Sequence, residues 1–429
     1  MRFAMVAVFA LAGTTNAWGG VALESFGIEP SGPGPQLFNA VGAQGAPGSD
    51  AGPGATVAWP VTLNLALLNT LPAAVQVNFP DRASVTLTRK HSERRGAGFL
   101  WSGSGADCSG LFRQAPSGFK GLLTCGNAPY GIDHAAGLSN VRLSRYDNAG
   151  SAVNDDNPPI PPPGTIPAGF VPNPPLIDQT VDVLVLFNGS LTLNRWEFAQ
   201  DIVDQIREAM SNSTTSGQSL VADIRLAGAA RISRTVCNAI PDDLTVLPND
   251  PQATALRNYW AADVVIYITC GGPPLLGQAY LPGYGAPQPG SKFAPVAYAS
   301  VLSGYAINPG DFIAAHEFAH TFGANHNPDH VPTNPTPIRP WAFDHWAREQ
   351  GEDVPTGHQT ILTYREDCLA VVNPCPRVLN YSNPNVIVDG WFHTGIANHR
   401  DNARLLVEIA PIQAQYRPSV GRIFANGFE

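Results

Sequence analysis

The chain has 429 residues, of which 44% are hydrophobic, and its formal net charge is −9. This length predicts more than one domain, and this hydrophobic fraction excludes a wholly disordered chain. The acidic balance argues against nucleic acid as a partner, since no Lys/Arg run offers a patch that could follow phosphates. The 42 glycines and 40 prolines predict many loops and extended connections.

The first residues have the pattern of a secretory signal peptide. Arg2 precedes an apolar stretch from Phe3 to Ala12, and the small residues Thr15 and Ala17 follow it. The sequence therefore predicts a signal peptide over residues 1–17 and a secreted protein, extracellular or periplasmic. The apolar run is too short to cross a bilayer, so no membrane anchor is expected.

The cysteine count is consistent with export. An even number of cysteines in an exported chain indicates disulfides, and none of the six lies in a CxxC that would favour a thiolate zinc site. Proximity along the sequence favours Cys108–Cys125 and Cys368–Cys375 and leaves Cys237–Cys270, although six cysteines allow fifteen connectivities.

A proline-rich segment divides the chain. Residues 151–178 include NDDNPPIPPPGTIPAGFVPNPP, which predicts an extended linker, because proline at this density fits neither a helix nor a sheet interior. Before the linker, residues 18–150 contain short alternating runs broken by turn residues and are predicted to be β-rich. No histidines or carboxylates cluster there with ligand spacing, so we expect no chemistry in this part.

After the linker the pattern changes to α/β. The run Val181–Phe187 suits a buried strand, and apolar residues at helical spacing predict an amphipathic helix over Leu193–Ser211. A strand at Ala222–Ala227, a helix near Thr254–Ala261 and a buried strand at Asp263–Thr269 are predicted next.

The chemistry is concentrated in the segment Ala315–His326, which reads AHEFAHTFGANH. Histidines four residues apart lie on one face of a helix, so His316 and His320 can reach one ion. Gly323 then permits a sharp turn that returns His326 to the same point. Three nitrogen ligands leave a fourth position open for water, which is typical of catalytic zinc. Glu317 is then placed to act as the general base toward that water. Asp311 is predicted to cap the helix.

The pattern HExxHxxGxxH resembles the metzincin peptidases, and more narrowly their reprolysin-like (adamalysin-type) bacterial members. The resemblance covers about residues 179–417 and implies an α/β (α+β) catalytic domain with a mixed twisted sheet and an active-site helix. By this resemblance, Leu275–Leu281 is the edge strand that pairs with a peptide substrate. Gln359–Tyr364 resembles the Met-turn, and Asp401–Arg417 resembles the closing helix. Residues 418–429 remain as a tail.

Two residues of the Met-turn segment bear on the site. Leu362 stands where the family has a methionine, a change that keeps the volume and is expected to preserve the site. Tyr364 is similar to a tyrosine that stabilises the oxyanion in some metzincins, although an ordinary half-buried tyrosine is an equal alternative.

Residues 18–150 resemble a propeptide, with a retained substrate-binding β-domain as the alternative. The sequence thus predicts a secreted zinc endopeptidase and zymogen, acting as a monomer on a protein or peptide substrate. Its predicted cofactor is one catalytic Zn²⁺, and the sequence does not show whether the chain also binds calcium. A catalytically silent module for binding or adhesion is the alternative function. It is disfavoured because the glutamate and all three histidines are present.

Overall fold

The computed structural model describes residues 35–40, 45, 55–105, 107–126, 128–135, 141–146, 180–214, 223–272, 275–282, 289–328, 337–348, 357–372 and 375–417. The predicted signal peptide, the whole of the predicted linker and the tail lie outside these residues.

Nine strands between residues 36 and 146 form one closed barrel in the order β1-β2-β9-β8-β7-β6-β5-β4-β3. A parallel pairing of β1 with β3 closes it, whereas the other neighbours are antiparallel. The strands are β1 (Gln36–Ala40), β2 (Ala55–Leu63), β3 (Ala74–Val77), β4 (Val85–Arg95), β5 (Gly98–Ser104), β6 (Cys108–Ala115), β7 (Gly118–Cys125), β8 (Ala128–Ala135) and β9 (Val141–Tyr146), with the short helix α1 (Leu65–Leu68) after β2.

The barrel closes around an aromatic core. Trp101, Phe112 and Phe119 are buried, and successive rings in this series stack with centroids 5.6 and 6.1 Å apart. The alternating runs of the sequence place these residues on the inner face of their strands. A disulfide between Cys108 and Cys125 joins β6 to β7 at directly opposed positions.

A second sheet of five strands has the order β11-β10-β12-β14-β13. Its first four strands run parallel to their neighbours, and β13 pairs antiparallel with β14 at the edge. The elements are β10 (Thr180–Phe187), α2 (Arg195–Asn212), β11 (Asp223–Arg231), α3 (Ile240–Val246), α4 (Pro251–Tyr259), β12 (Val264–Thr269), β13 (Gly277–Ala279), β14 (Tyr298–Leu302) and α5 (Ile313–His320), with short 3₁₀ helices at Leu247–Asn249 and Ala294–Val296.

The C-terminal part adds short elements and one longer helix. They are β15 (Trp346–Arg348), β16 (Gly357–Gln359), α6 (Arg365–Leu369), β17 (Ile387–Val388), β18 (Phe392–His393) and α7 (Asn402–Gln413). Disulfides join Cys237 to Cys270 and Cys368 to Cys375. Both pairs that proximity favoured are therefore formed, as is the pair that was left by elimination.

Across the described ranges, no helix is both long enough and apolar enough to cross a membrane.

The fold class predicted from the sequence is wrong. That prediction made a metzincin α/β catalytic domain the defining architecture and expected only a β-rich, propeptide-like region before it. The largest sheet of the described chain is instead the closed mixed barrel, and strands outnumber helices. The barrel was missed because its closure depends on pairing β1 with β3 and β2 with β9, and alternation within one strand carries no information about such distant partners.

Individual elements were predicted more reliably than the architecture. The predicted strand Val181–Phe187 is β10, and the predicted helix Leu193–Ser211 is α2 with ends shifted by one or two residues. The strand predicted at Asp263–Thr269 is β12. The two strands are continuous apolar runs and the helix has apolar residues at helical spacing, and both signals are local to the segment that carries them.

Candidate metal centre

The helix α5 is buried along its whole length. All eight of its residues, Ile313–His320, are buried, and its apolar side chains belong to the main core cluster of the five-stranded sheet. The residue before it, Phe312, has a left-handed backbone (φ 55°) and no side chain caps the helix, so the predicted Asp311 cap is wrong. Burial of the apolar side chains, rather than a capping bond, therefore holds α5 in place.

Three histidine side chains meet at the end of α5. The Nε2 atoms of His316 and His320 lie 3.0 Å apart, and each lies 3.1 Å from Nε2 of His326. Gly323, with φ +97°, provides the turn that brings His326 back toward the helix. The three residues are at most 2% exposed. The first and last of these histidines are ten positions apart in the sequence, yet all three side chains present a nitrogen to one point.

The protons on two of these rings are positioned by backbone carbonyls. Nδ1 of His316 lies 2.9 Å from the carbonyl oxygen of Ile361, and Nδ1 of His320 lies 2.8 Å from that of Ala324. A carbonyl only accepts, so each Nδ1 carries the proton and each Nε2 presents a lone pair. Burial lowers the pKa of His316 to about 3, with the positive charge of Arg377 as a further cause, which keeps that ring neutral.

This donor set fits a zinc ion. Neutral imidazole lone pairs held 3.0 Å apart repel one another unless a cation lies between them. A tetrahedral ion with Zn–N bonds of about 2.0–2.1 Å needs nitrogens about 3.3 Å apart, close to the spacing found here. Among the described residues, these histidines form the one group of three or more potential ligands that could hold a metal.

Glu317 lies beside the first histidine and is 2% exposed. Its side chain packs against the edge strand β13, where Gly277 has no side chain to obstruct it. A Cβ at Gly277 would lie 2.5 Å from Oε1 of Glu317 and 2.6 Å from its Cγ. The glutamate therefore occupies space that only a glycine at this strand position leaves open.

Tyr364 and Leu362 both lie close to the ligands. The ring of Tyr364 packs on that of His326 with centroids 4.1 Å apart, and its side chain is buried. Leu362 is fully buried in the core cluster that includes α5. Tyr364 therefore lies beside a candidate ligand, and its role in catalysis stays a prediction.

A buried carboxylate, Asp344, supports the turn that holds His316. Its Oδ2 accepts a hydrogen bond from the backbone N–H of Leu362 at 2.6 Å, and Oδ1 accepts one from Ser382 at 3.2 Å. Leu362 directly follows Ile361, whose carbonyl accepts from His316. The carboxylate therefore supports the position of His316 through this turn.

Asn327 is a supporting residue that sequence reasoning missed. Its side-chain oxygen accepts from the N–H of Tyr364 at 2.9 Å, and its amide group donates to Asp367 at 2.7 Å. The side chain therefore ties the segment after the third histidine to the start of α6. The sequence feature that could have indicated this role is the position of Asn327 directly after His326.

Two further buried histidines take no part in this centre. His358 pairs with Asp389 at 2.7 Å, and His345 lies 3.0 Å from a guanidinium nitrogen of Arg400. His393 and His399 are exposed, and His330 lies outside the described residues. Among the described residues, only His316, His320 and His326 form the candidate metal cluster.

No protein-family model matches the chain, and no curated protein matches it. Solved structures give 42 matching chains. One, from "Structure of a chaperone-substrate complex", is 13% identical over 69% of this chain and 39% of that chain, with a TM-score of 0.39. Another, "Crystal Structure of metalloproteinase-II from Bacteroides fragilis", is 12% identical over 61% of this chain and 85% of that chain, with a TM-score of 0.40. The chain thus spans well under half the length of the first. Both TM-scores are too low to bear on the fold or the function.

Proposed function

We propose that the chain is a zinc-dependent endopeptidase that hydrolyses peptide bonds, with His316, His320 and His326 as the metal ligands. The observation that carries this proposal is the convergence of three Nε2 atoms within 3.0–3.1 Å of one another beside a buried glutamate. The resemblance of HExxHxxGxxH to reprolysin-like metzincin peptidases supports the same activity.

A zinc ion at this site would supply Lewis-acid polarisation of the scissile carbonyl and lower the pKa of the attacking water toward about 7. The histidines hold the site neutral and oriented, because two of them donate their Nδ1 protons to backbone carbonyls. Glu317 accepts the proton of the water as it attacks and then delivers that proton to the leaving amine. Tyr364, packed on His326, would donate a hydrogen bond to the developing oxyanion.

The compartment of this activity is part of the proposal. Three disulfides are formed in the structure, and stable disulfides are characteristic of oxidising surroundings. We therefore place the enzyme outside the cytoplasm, as a secreted or periplasmic peptidase.

The test compares the full-length chain with its Glu317→Gln variant, measuring zinc content and cleavage of a general protein substrate. Gln keeps the volume of Glu but cannot take a proton, so activity should fall by about 100-fold or more while one zinc per chain is retained. The His320→Ala variant is the matched control for the metal, and it should lose both zinc and activity.

If wild type and Glu317→Gln both hold zinc and cleave at the same rate, Glu317 is not the general base. If neither cleaves even after the chain is cut within residues 151–178, the peptidase proposal fails and a binding module takes its place.

A further inference from the structure

One face of α2 carries a continuous polar stripe. Polar side chains recur every three or four positions from one end of the helix to the other, which places them in a single row. The row consists of Glu197, Asp201, Asp204, Glu208 and Asn212. Such a row is what a solvent-facing helix surface normally presents. Here Asp204 and Glu208 are only 2% and 5% exposed, because the barrel covers them.

Basic side chains of the barrel meet the middle of this row. Arg95, the last residue of β4, bonds both oxygens of Asp204, with N–O distances of 2.6 and 2.9 Å. Lys120 on β7 lies 3.1 Å from Asp201, and Arg113 on β6 forms an ion pair with the same carboxylate. The central contacts between the barrel and α2 are therefore ion pairs.

The ends of the row are matched in the same manner. Ser117, in the turn between β6 and β7, donates from its backbone N–H to Glu197 at 3.3 Å. Lys90 on β4 donates to the side-chain oxygen of Asn212 at 2.7 Å. Four of the five positions in the row thus meet a polar group of the barrel, so the two surfaces are complementary along most of the helix.

The opposite face of α2 has the character of a core. Ile202, Ile206 and Met210 are buried in the cluster that also contains the apolar residues of α5. Separation of the barrel would therefore expose carboxylates, which water solvates well, and leave the core next to the metal helix covered.

Packing between the barrel and α2 is also incomplete. A cavity of about 530 Å³ lies at this interface, with walls that include Lys120 and Ile132 of the barrel and Asp201 and Gln205 of α2. From the barrel, Leu122 packs against the core cluster of the sheet. Permanent interfaces are apolar and closely packed, whereas charged and loosely packed ones are typical of partners that separate.

We infer that the polar row of α2 is a docking surface from which the barrel can leave as a folded module, held mainly by ion pairs, with Leu122 as the apolar contact described above. A chain cut between the two parts should then keep the barrel bound at low ionic strength and release it at high ionic strength. The inference concerns association alone and does not depend on the proposed peptidase activity.

The experiment uses the full-length chain with a recognition site for a specific protease inserted within residues 151–178. After folding and cutting, size-exclusion chromatography is run near 0.05 M and near 1 M NaCl. Raising the salt to about 1 M shortens the screening length to about 3 Å. Salt then stabilises the charges of the separated surfaces, which face water, more than it stabilises the paired charges, which are buried. We expect the two pieces to coelute at low salt and to separate at high salt, each retaining its circular dichroism spectrum.

The Arg95→Glu variant removes the bidentate pair with Asp204 and should weaken association by about 10- to 100-fold. Combining it with Asp204→Arg should restore much of the binding. Arg339→Glu, the same charge change at a residue that pairs with Glu408 of α7, is the control and should leave association unchanged.

Three results would overturn the inference. The pieces could stay together at high salt in both wild type and Arg95→Glu, which would indicate a shared core. They could separate already at low salt, which would show that the row does not hold the barrel. Finally, either piece could unfold on separation, which would show that the barrel is not a detachable module.

Discussion

Glu317 has its position because Gly277, which faces it from β13, has no side chain. The nearest atoms to a Cβ at this glycine would be two of Glu317 and Cγ2 of Ile313, all within 2.6 Å. Ile313 is buried in the core, so its side chain has no open space to move into. An added methyl group must therefore displace the glutamate from its place beside the histidines.

Gly277→Ala should accordingly reduce peptide hydrolysis by about 10- to 100-fold, because a general base displaced by about 1 Å loses its reach to the water. Zinc content should stay at the wild-type level, since none of the three atoms nearest to a Cβ at Gly277 belongs to a histidine. The measurement is kcat together with bound zinc. Gly272→Ala is the control, because nothing lies within 4 Å of a Cβ there. Equal kcat for wild type and Gly277→Ala would show that Glu317 tolerates displacement.

At the scale of elements, the buried carboxylate of Asp263 joins the five-stranded sheet to the segment that follows α7. Asp263, directly before β12, accepts from the N–H of Asp182 on β10 at 2.9 Å and from the N–H of Arg417 beyond α7 at 3.0 Å. Burial raises the pKa of Asp263 to about 7, although both hydrogen bonds oppose that rise. The folded chain therefore holds a proton on this group at a pH where the unfolded chain has released it.

The pH dependence follows from that difference. The ordinary pKa of an aspartate is about 3.9, so the stabilisation from the bound proton is complete below about pH 4 and is lost as pH rises to about 7. The loss amounts to at most about 4 kcal/mol.

The measurement is the free energy of unfolding in urea for wild type and Asp263→Asn at pH 5 and pH 8. The advantage of wild type over the variant should shrink as pH rises, because Asn does not titrate. A difference that stays constant between the two pH values would contradict the raised pKa of Asp263.

At the scale of the whole molecule, the candidate metal site lies between the helix α5 and the segment that follows the turn at Gly323. His316 and His320 belong to α5, whereas His326 follows the turn at Gly323, and their imidazole nitrogens face one another. An unfolded chain has no such arrangement, so a metal that binds here stabilises the folded state by mass action.

Removal of metal by a chelator should therefore lower the free energy of unfolding by about 3–4 kcal/mol, the value for free zinc at 100 to 1,000 times its Kd. Thermal denaturation with and without the chelator, and after zinc is added back, measures the effect. Glu317→Gln should respond as wild type does, whereas His326→Ala should not respond at all. An unchanged melting temperature in the wild type would argue against a metal at this site.

The sequence by itself determined which three histidines could hold a metal, because the spacing of His316 and His320 follows from helix geometry and Gly323 is the residue that allows the turn to His326. The sequence also determined β10, β12 and α2. The two strands are continuous apolar runs and the helix has apolar residues at helical spacing, and these patterns are local. Proximity along the chain was enough to favour two of the three disulfides, and elimination left Cys237–Cys270 as the third.

Only the tertiary structure decided what depends on distant residues. Alternation in Gln36–Ala40 or Ala74–Val77 predicts a strand but not that the two pair in parallel and close a barrel. Likewise, the charges of α2 read as a solvent-facing surface, and nothing local indicates that Arg95 and Lys120 cover them. The supporting role of Asp344 depends on a turn eighteen residues further along the chain. The physical reason is the same in each case, since periodicity and propensity act over a few neighbouring residues, whereas pairing and burial are set by contacts between segments far apart in the sequence.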